Sequence, residues 1–345
     1  MKDDGAIRWP EPDLTIVILT RDEALHIERA LASVAGIAAH VLVVDSGSTD
    51  DTRARARAAG AQVLEHRWTT HARQFNWALD QLPEDTGWVM RLDADEIVSP
   101  GLAEEIRRRL PLMGPEIDGL RIPRRMAFLG RPIRWGGVFP VYVLRLIRHG
   151  RGRCEDRWMD EHLVVSGPTG ALRGEILDDN LKDLTAWTAK HNAYASREVI
   201  DLLNLRHGFM PRETLAGLAS GRQDGIKRWI KENIYARLPG GFRAAAYFFY
   251  RYVLRLGFLD GHEGAAFHVL QGFWYRYLVD AKLRQVETHM RRTGADPVQA
   301  IRAVLGIEVL PRDPTPPATQ APDPARPCPP LQQQATGPDQ LLRGP

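Results

Sequence analysis

The chain is poor in the residues that staple or anchor a protein. Its 345 residues include two cysteines, Cys154 and Cys328. Neither a disulfide framework nor a cysteine zinc cluster can be built from them, and a reducing compartment fits. The opening residues Met1-Lys2-Asp3-Asp4-Gly5 lack the apolar core of a secretory leader. No run of about 18 uncharged apolar residues occurs, so no self-sufficient membrane-spanning helix is expected. There is no large excess of either charge. The net value of +3 argues against nucleic-acid binding by the whole chain. No internal repeat is visible. Neither Gly-x-Gly-x-x-Gly nor Gly-x-x-x-x-Gly-Lys-Ser/Thr follows an expected strand, which disfavours a Rossmann dehydrogenase and a P-loop NTPase.

What is present is an ordinary globular composition, 44 % apolar and 26 % charged, on a chain longer than one typical domain. Leu14 to Leu19 is a short β-branched run that reads as a buried parallel strand. Thr20 to Glu23 reads as the following turn and helix cap. Leu25, Ile27, Leu31 and Val34 supply a helical stripe. Val41 to Val44 is a second strand, ending in the polar loop Asp45 to Asp51, which caps a helix from Thr52 to Ala59. A strand from Ala61 to Glu65, a helix from Arg73 to Leu82 and a strand from Trp88 to Leu92 follow. Four β-then-α units predict a doubly wound α/β sheet whose ligands sit beyond the strands' carboxyl ends. Glu23, Asp45, Asp93 and Asp95 lie at such ends.

Trp88-Val-Met-Arg-Leu-Asp93-Ala-Asp95-Glu96 brings an apolar strand up into three crowded carboxylates. Asp-x-Asp at a strand end offers hard oxygen ligands to Mg²⁺ or Mn²⁺, ions that keep waters and share their site with substrate phosphates. A solvated acidic turn before a helix at Ser99-Pro100 is the plainer reading of these residues alone. Convergence of the other strand ends favours the metal and phosphate reading.

From Gly119 the pattern changes to short strands: Leu120 to Ile122, Ala127 to Leu129, Val141 to Ile147 and His162 to Val165. Trp158-Met159-Asp160-Glu161-His162 sets carboxylates beside an aromatic and an imidazole. That is a natural general base, because partial burial raises a carboxylate's pKa; an exposed turn is the alternative. Leu177 to Leu203 reads as a helix with Leu181, Leu184, Trp187, His191, Tyr194 and Val199 near one face. His191 and Asn192 there read as structural polar groups before ligands. Residues 222–255 carry Arg222, Lys227, Arg228, Lys231, Arg237, Arg243, Arg251 and Arg255 among Trp, Tyr and Phe, and Gly272 to Leu278 repeats the theme. Such segments lie on an anionic membrane surface without spanning it; a helical cap with snorkelling arginines is the alternative. The Pro-, Gln- and Ala-rich end, 311–345, reads as a disordered tail.

Taken together, these residues resemble the family 2 glycosyltransferases of GT-A fold. Within that family they resemble bacterial lipopolysaccharide-core and exopolysaccharide enzymes of the β-1,4-glucosyltransferase type. Leu19-Thr20-Arg21-Asp22-Glu23 is similar to the first-strand Thr-Lys-Asn-Glu, with Arg21 and Asp22 departing. Val44-Asp45-Ser46-Gly47-Ser48-Thr49-Asp50 matches the second-strand motif. Gln74-Phe75-Asn76-Trp77-Ala78-Leu79 is similar to Gln-Arg-Asn-Trp-Ala-Leu, and Leu92 to Glu96 is the Asp-x-Asp-Glu. Counting back from Gly167 sets Glu161 on the family's catalytic glutamate, with Asp160 in place of its histidine. Asn180-Leu181-Lys182, Lys190-His191-Asn192-x-Tyr194 and Gly272 to Arg276 are similar to the same subfamily.

The resemblance implies a GT-A-type mixed sheet over 14–176, a short extension over 1–13 and a helical membrane-associating region over 177–310. It implies a nucleotide-sugar donor held by Thr20, Glu23, Asp45, Gln74, Asn76 and Asp93. Mg²⁺ or Mn²⁺ would sit on Asp95, with Asp93 beside it and Glu96 in a supporting or capping place. Glu161, or Asp160, would deprotonate the acceptor for an inverting displacement. The acceptor would be a saccharide or lipid-linked saccharide of cell-envelope polysaccharide or lipopolysaccharide synthesis. The enzyme would be cytoplasmic and peripheral on the inner face of the cytoplasmic membrane, with no nucleic-acid partner. A polyprenyl-phosphate glycosyltransferase and a non-catalytic membrane-surface scaffold are the alternatives.

Overall fold

The computed structural model describes residues 12–155, 162–210 and 241–309. Asp160 and Glu161, most of the N-terminal extension, the basic stretch up to Arg237 and the tail lie outside the described residues.

The first strands are buried on both faces, so alternate side chains feed two different cores. On β1 (Leu14–Thr20), Leu14, Ile16 and Ile18 join one cluster and Val17 the other. The first cluster takes Ile27, Leu31 and Val34 from α1 (Ile27–Val34). The second takes Phe75, Ala78 and Leu79 of a helix over His71–Asp80. β2 (His40–Asp45) and β3 (Gln62–Glu65) extend the sheet on one side, with α2 (Thr52–Ala58) and α3 (His71–Asp80) as crossovers. β4 (Trp88–Asp93) pairs parallel with β1 on the other side. After β5 (Glu96–Val98), Ser99 caps α4 (Pro100–Arg109) by accepting from the Leu102 amide.

The rest of the sheet comes from β6 (Gly119–Phe128), β7 (Arg131–Pro132), β8 (Val141–Arg148), β11 (Thr169–Ala171) and β12 (Ile176–Asp179). β9 (Gly152–Cys154) and β10 (Leu163–Val165) form a separate antiparallel pair. Strand order is β3-β2-β1-β4-β8-β6-β12-β5, with β7 and β11 also on β6. The first four strands are parallel; β8 runs antiparallel to β4 and β6, and β5 antiparallel to β12. This is the mixed α/β sheet expected. It continues to Asp179, past the boundary expected at 176.

Three expectations are corrected. Leu25 is not on the first helical stripe. It is 56 % exposed, because α1 begins at Ile27 with His26, not the Thr20–Glu23 turn, at its cap. Leu120–Ile122 and Ala127–Leu129 are not two strands. β6 runs through Pro123, which sits between the β11 register ending at Arg121 and the β12 register starting at Arg124, and Leu129 has φ 51° beyond the strand's end. The helix read from Leu177 starts at Leu184. Its cap is Asp183, whose carboxylate accepts from the Ala186 amide, and Leu181 and Leu184 are exposed.

That helix, α5 (Leu184–His207), packs Val199, Ile200 and Leu203 against Val279, Leu283 and Val286 of a later helix over Tyr275–Thr293. Counting α6 (Phe242–Phe249) and α7 (Gly261–Phe267), that helix is α8, followed by α9 (Pro297–Leu305). The 134–137 loop is tied to this helical layer by Asp260, whose carboxylate accepts the Arg134 and Trp135 amides at 3.0 and 2.9 Å. No helix among the described residues is long and apolar enough to cross a membrane.

Candidate active site

The carboxyl ends of β1, β2 and β4 open onto a cleft of about 1700 Å³, walled elsewhere by β6, β8, β10 and α5. Thr20 and Asp45 are register partners at the ends of β1 and β2, and Leu19 pairs with Asp93 on the other side. Parallel pairing thus delivers three of the expected residues to one end of the sheet.

Asp45 faces inward. It is fully buried, and its carboxylate accepts from the Gly47 and Ser48 amides at 3.0 and 2.8 Å and from the Thr20 hydroxyl at 3.0 Å. The Ser48 hydroxyl completes the set. The loops after β1 and β2 are then zipped together. The Asp22, Glu23 and Ala24 amides donate to Ser48, Thr52 and Asp50, and the Thr49 amide donates back to Asp22. Much of the Val-Asp-Ser-Gly-Ser-Thr-Asp motif is therefore spent on loop shape. Ser46 faces the cleft and exchanges hydrogen bonds with Gln74, itself buried on α3.

Asn76 is not brought to the cleft. Both ends of its amide are used by Cys154 on β9, at 2.9 Å each. Glu23 lines the cleft but is latched. Lys182 Nζ reaches Oε1 at 2.7 Å and His26 Nδ1 reaches Oε2 at 2.6 Å. His26 Nε2 accepts the Leu181 amide, so the ring proton lies on Nδ1, facing Glu23. Burial works against ionisation of Glu23, and His26 and Lys182 override it, holding the carboxyl below its usual range.

Asp93 and Asp95 have different surroundings. Arg145 Nη2 donates to Asp93 at 3.0 Å, Arg91 Nε lies 3.4 Å away and His71 Nε2 4.0 Å. Burial would raise the Asp93 carboxyl, but Arg145 and then Arg91 hold it well below the usual range. Glu96 is buried, accepts the Asp93 amide at 3.1 Å and also meets Arg145. Arg91 adds to Arg145 at Asp93, whereas at Glu96 burial outweighs Arg145. Burial pushes Glu96 up to about 8, and the charge stays on Asp93.

Asp95 Oδ2 accepts from Asn180 Nδ2 at 2.9 Å and lies 3.9 Å from Lys190 Nζ. Asp178 sits across from Glu96 in the β5–β12 register. Burial, then the charges of Asp95 and Asp93, push Asp178 up to about 6. Among the described residues no three His, Cys, Asp or Glu side chains form a metal cage. Asp95 offers one carboxylate on the cleft, with Asp93 two residues before it on the same lining. That fits an Mg²⁺-like ion, which takes one or two carboxylates and completes its shell with phosphates and water.

Arg91, Arg145, Asp178, Asn180, Lys182 and Lys190 were not foreseen as site residues. A signal existed for the two arginines. Each interrupts an apolar strand, and a charge buried in a strand needs a partner. His162 is exposed at the edge of the cleft, next to the undescribed 156–161.

Residues 15–124 match the family model described as glycosyl transferase family 2. An uncharacterized glycosyltransferase of Rickettsia felis is 41 % identical over 93 residues, 27 % of this chain and 32 % of that protein. The chain thus spans about a third of the length of that rickettsial relative. The lipopolysaccharide core biosynthesis glycosyltransferase LpsC of Rhizobium meliloti is 29 % identical over 194 residues, covering 54 % of this chain and 70 % of LpsC. Glucosyl-3-phosphoglycerate synthase from Mycobacterium tuberculosis, solved with Mn²⁺ and UDP, overlaps 33 % of this chain and 44 % of its own at 24 % identity, with a TM-score of 0.28. The segment that matches the glycosyl transferase family 2 model contains β1 to β5 and the strand ends that meet the cleft through Asp93 and Asp95.

Proposed function

We propose that the protein transfers a sugar, with inversion, from a nucleotide-sugar donor to a saccharide or lipid-linked saccharide of the cell envelope. The observation that carries this is the meeting of three strand ends and the Asp93/Asp95 pair on one cleft. The likeness to LpsC supports the lipopolysaccharide setting. Asp95 would hold Mg²⁺ or Mn²⁺, which would offset the charge that develops on the leaving diphosphate. Asp93, kept ionised by Arg145 and Arg91, faces the ribose. Ser46 and Thr20 line the nucleotide end, in a loop whose shape Asp45 sets from behind. Glu161, outside the described residues, takes the acceptor proton. General-base assistance of this kind contributes roughly 10² to 10⁴ in rate. The exposed aromatic surface over 242–277 holds the protein at the membrane face where such acceptors lie.

Calorimetry with Mn²⁺ and a panel of nucleotide sugars tests the division of roles. Asp95→Asn is expected to lose donor binding. Glu161→Gln is expected to keep it while transfer is abolished in both. Equal loss of binding in the two variants sinks the division. Radiolabelled donor offered to a saccharide and to a polyprenyl phosphate decides the acceptor class.

A further inference from the structure

The α5 stretch Lys190-His191-Asn192-Ala193-Tyr194 has no part in the reading above, and its geometry splits it in two. His191 stacks on Trp187 with ring centroids 3.5 Å apart and contacts the Trp187 carbonyl at 2.9 Å. The Asn192 carbonyl accepts from Lys282 Nζ at 3.1 Å. These two residues serve the helix packing. Lys190, Tyr194 and Arg197 line the cleft instead.

Lys190 is 48 % exposed, with Nζ 3.9 Å from Asp95 Oδ2 and 5.8 Å from the Tyr194 ring centroid. At 3.9 Å the ammonium is an ion-pair partner and not a hydrogen-bond donor. Asn180 holds the same Asp95 oxygen at 2.9 Å, so the carboxylate stays in place without the lysine. Asp178 and Glu23 add to the negative field around the ammonium. A divalent ion and an ammonium on one carboxylate repel each other. A donor diphosphate brings enough negative charge to hold both, and a flexible four-carbon stem with three donors lets the lysine move to it.

We propose that Lys190 is an exchangeable counter-ion: it neutralises Asp95 in the metal-free protein and turns to the donor diphosphate when a divalent ion takes Asp95. The inference rests on the donor reading above and adds to it a residue that couples metal binding to diphosphate binding.

The two halves of the exchange predict opposite signs. Removing the ammonium removes the metal's competitor and also a diphosphate ligand. Calorimetry on the full chain measures Mn²⁺ alone, then UDP, GDP and ADP each in saturating Mn²⁺. Lys190→Ala is expected to bind Mn²⁺ alone about tenfold tighter and the accepted nucleoside diphosphate about tenfold weaker, the scale of one charge-assisted contact. Lys190→Met, which keeps most of the stem, is expected to behave alike, and Lys190→Arg to restore both affinities toward wild type. Wild-type protein that binds none of the three diphosphates overturns the donor reading and this inference with it. Wild-type binding that survives unchanged in Lys190→Ala, or an Mn²⁺ affinity that does not rise, overturns this inference alone. A loss seen only with inorganic phosphate in metal-free buffer assigns Lys190 to an anionic acceptor and overturns the donor assignment.

Discussion

Arg145 decides what the Asp-x-Asp-Glu residues do. It is buried and faces two carboxylates, Asp93 and Glu96. Removing a shared buried cation leaves charge uncompensated, so Arg145→Met is expected to cost about 3–5 kcal/mol in urea unfolding at neutral pH. Glu96→Gln should be far milder, because the acid already holds its proton near neutrality and Gln keeps an acceptor for the Asp93 amide. The pH dependence fixes the sign. A folded-state pKa raised from 4.5 to about 8 means that the folded chain holds this proton more tightly than the unfolded chain. Its contribution is complete below pH 4.5 and is lost as pH rises toward 8. Glu96→Gln is expected to flatten stability across that window; an unchanged slope counts against the assignment of the proton to Glu96. At this scale the sequence was legible where chemistry is local. Asp93, Asp95 and Thr20 sit at the cleft because a strand end puts them there. The roles of Lys182, Lys190 and Asp178 were not legible, since each meets its carboxylate partner or neighbour from more than eighty residues away along the chain, Lys182 at Glu23, Lys190 at Asp95 and Asp178 across from Glu96.

Between elements, the expected donor residues divide by where they face. Thr20, Glu23, Gln74 and Asp93 line the cleft, while Asp45 and Asn76 hold parts of the scaffold in place. Asn76 joins α3 to β9 by a two-way amide pairing, and β9 leads directly into the 156–161 segment that carries Glu161. Asn76→Ala leaves the Cys154 amide and carbonyl without that partner, and is expected to cost about 1–3 kcal/mol of stability. If Asn76 positions the base-bearing segment, turnover falls while UDP binding in Mn²⁺ keeps its wild-type affinity. A fall in UDP affinity matching the fall in turnover returns Asn76 to the donor site. The elements themselves were readable where burial is two-sided. β1, β2 and β4 are largely apolar runs, and their bounds differ from expectation by a residue or so. Reading failed where a chain turn was disguised. Asp183 starts α5 after a strand whose Ile176-Leu177 looks equally helical, and Pro123 hid the continuity of β6.

For the whole molecule, the membrane reading changes in balance. Its arginines are largely spent among the described residues. Arg251 is buried with Nε on the Gly136 carbonyl, Arg243 is paired with Asp280, and Arg276 is paired with Glu198. What faces outward is apolar: Phe242 at 64 % exposure, Leu254 at 62 % and Phe249 at 53 %, with Tyr250, Phe273 and Tyr277 nearby. A concentration of exposed aromatics on that scale marks an interaction surface. Partition into a lipid interface by apolar insertion follows buried area and is screened little by salt, unlike attraction of surface charges. Sedimentation with phosphatidylglycerol–phosphatidylcholine vesicles separates the two contributions. The wild-type chain is expected to lose only part of its binding between low and high salt. Phe249→Ser with Leu254→Ser is expected to lose most of it at both. Binding abolished by salt and untouched by the double variant would transfer the membrane contact to the basic residues between Arg222 and Arg237. A stable dimer in light scattering that the double variant dissociates would show instead that a second copy covers this surface.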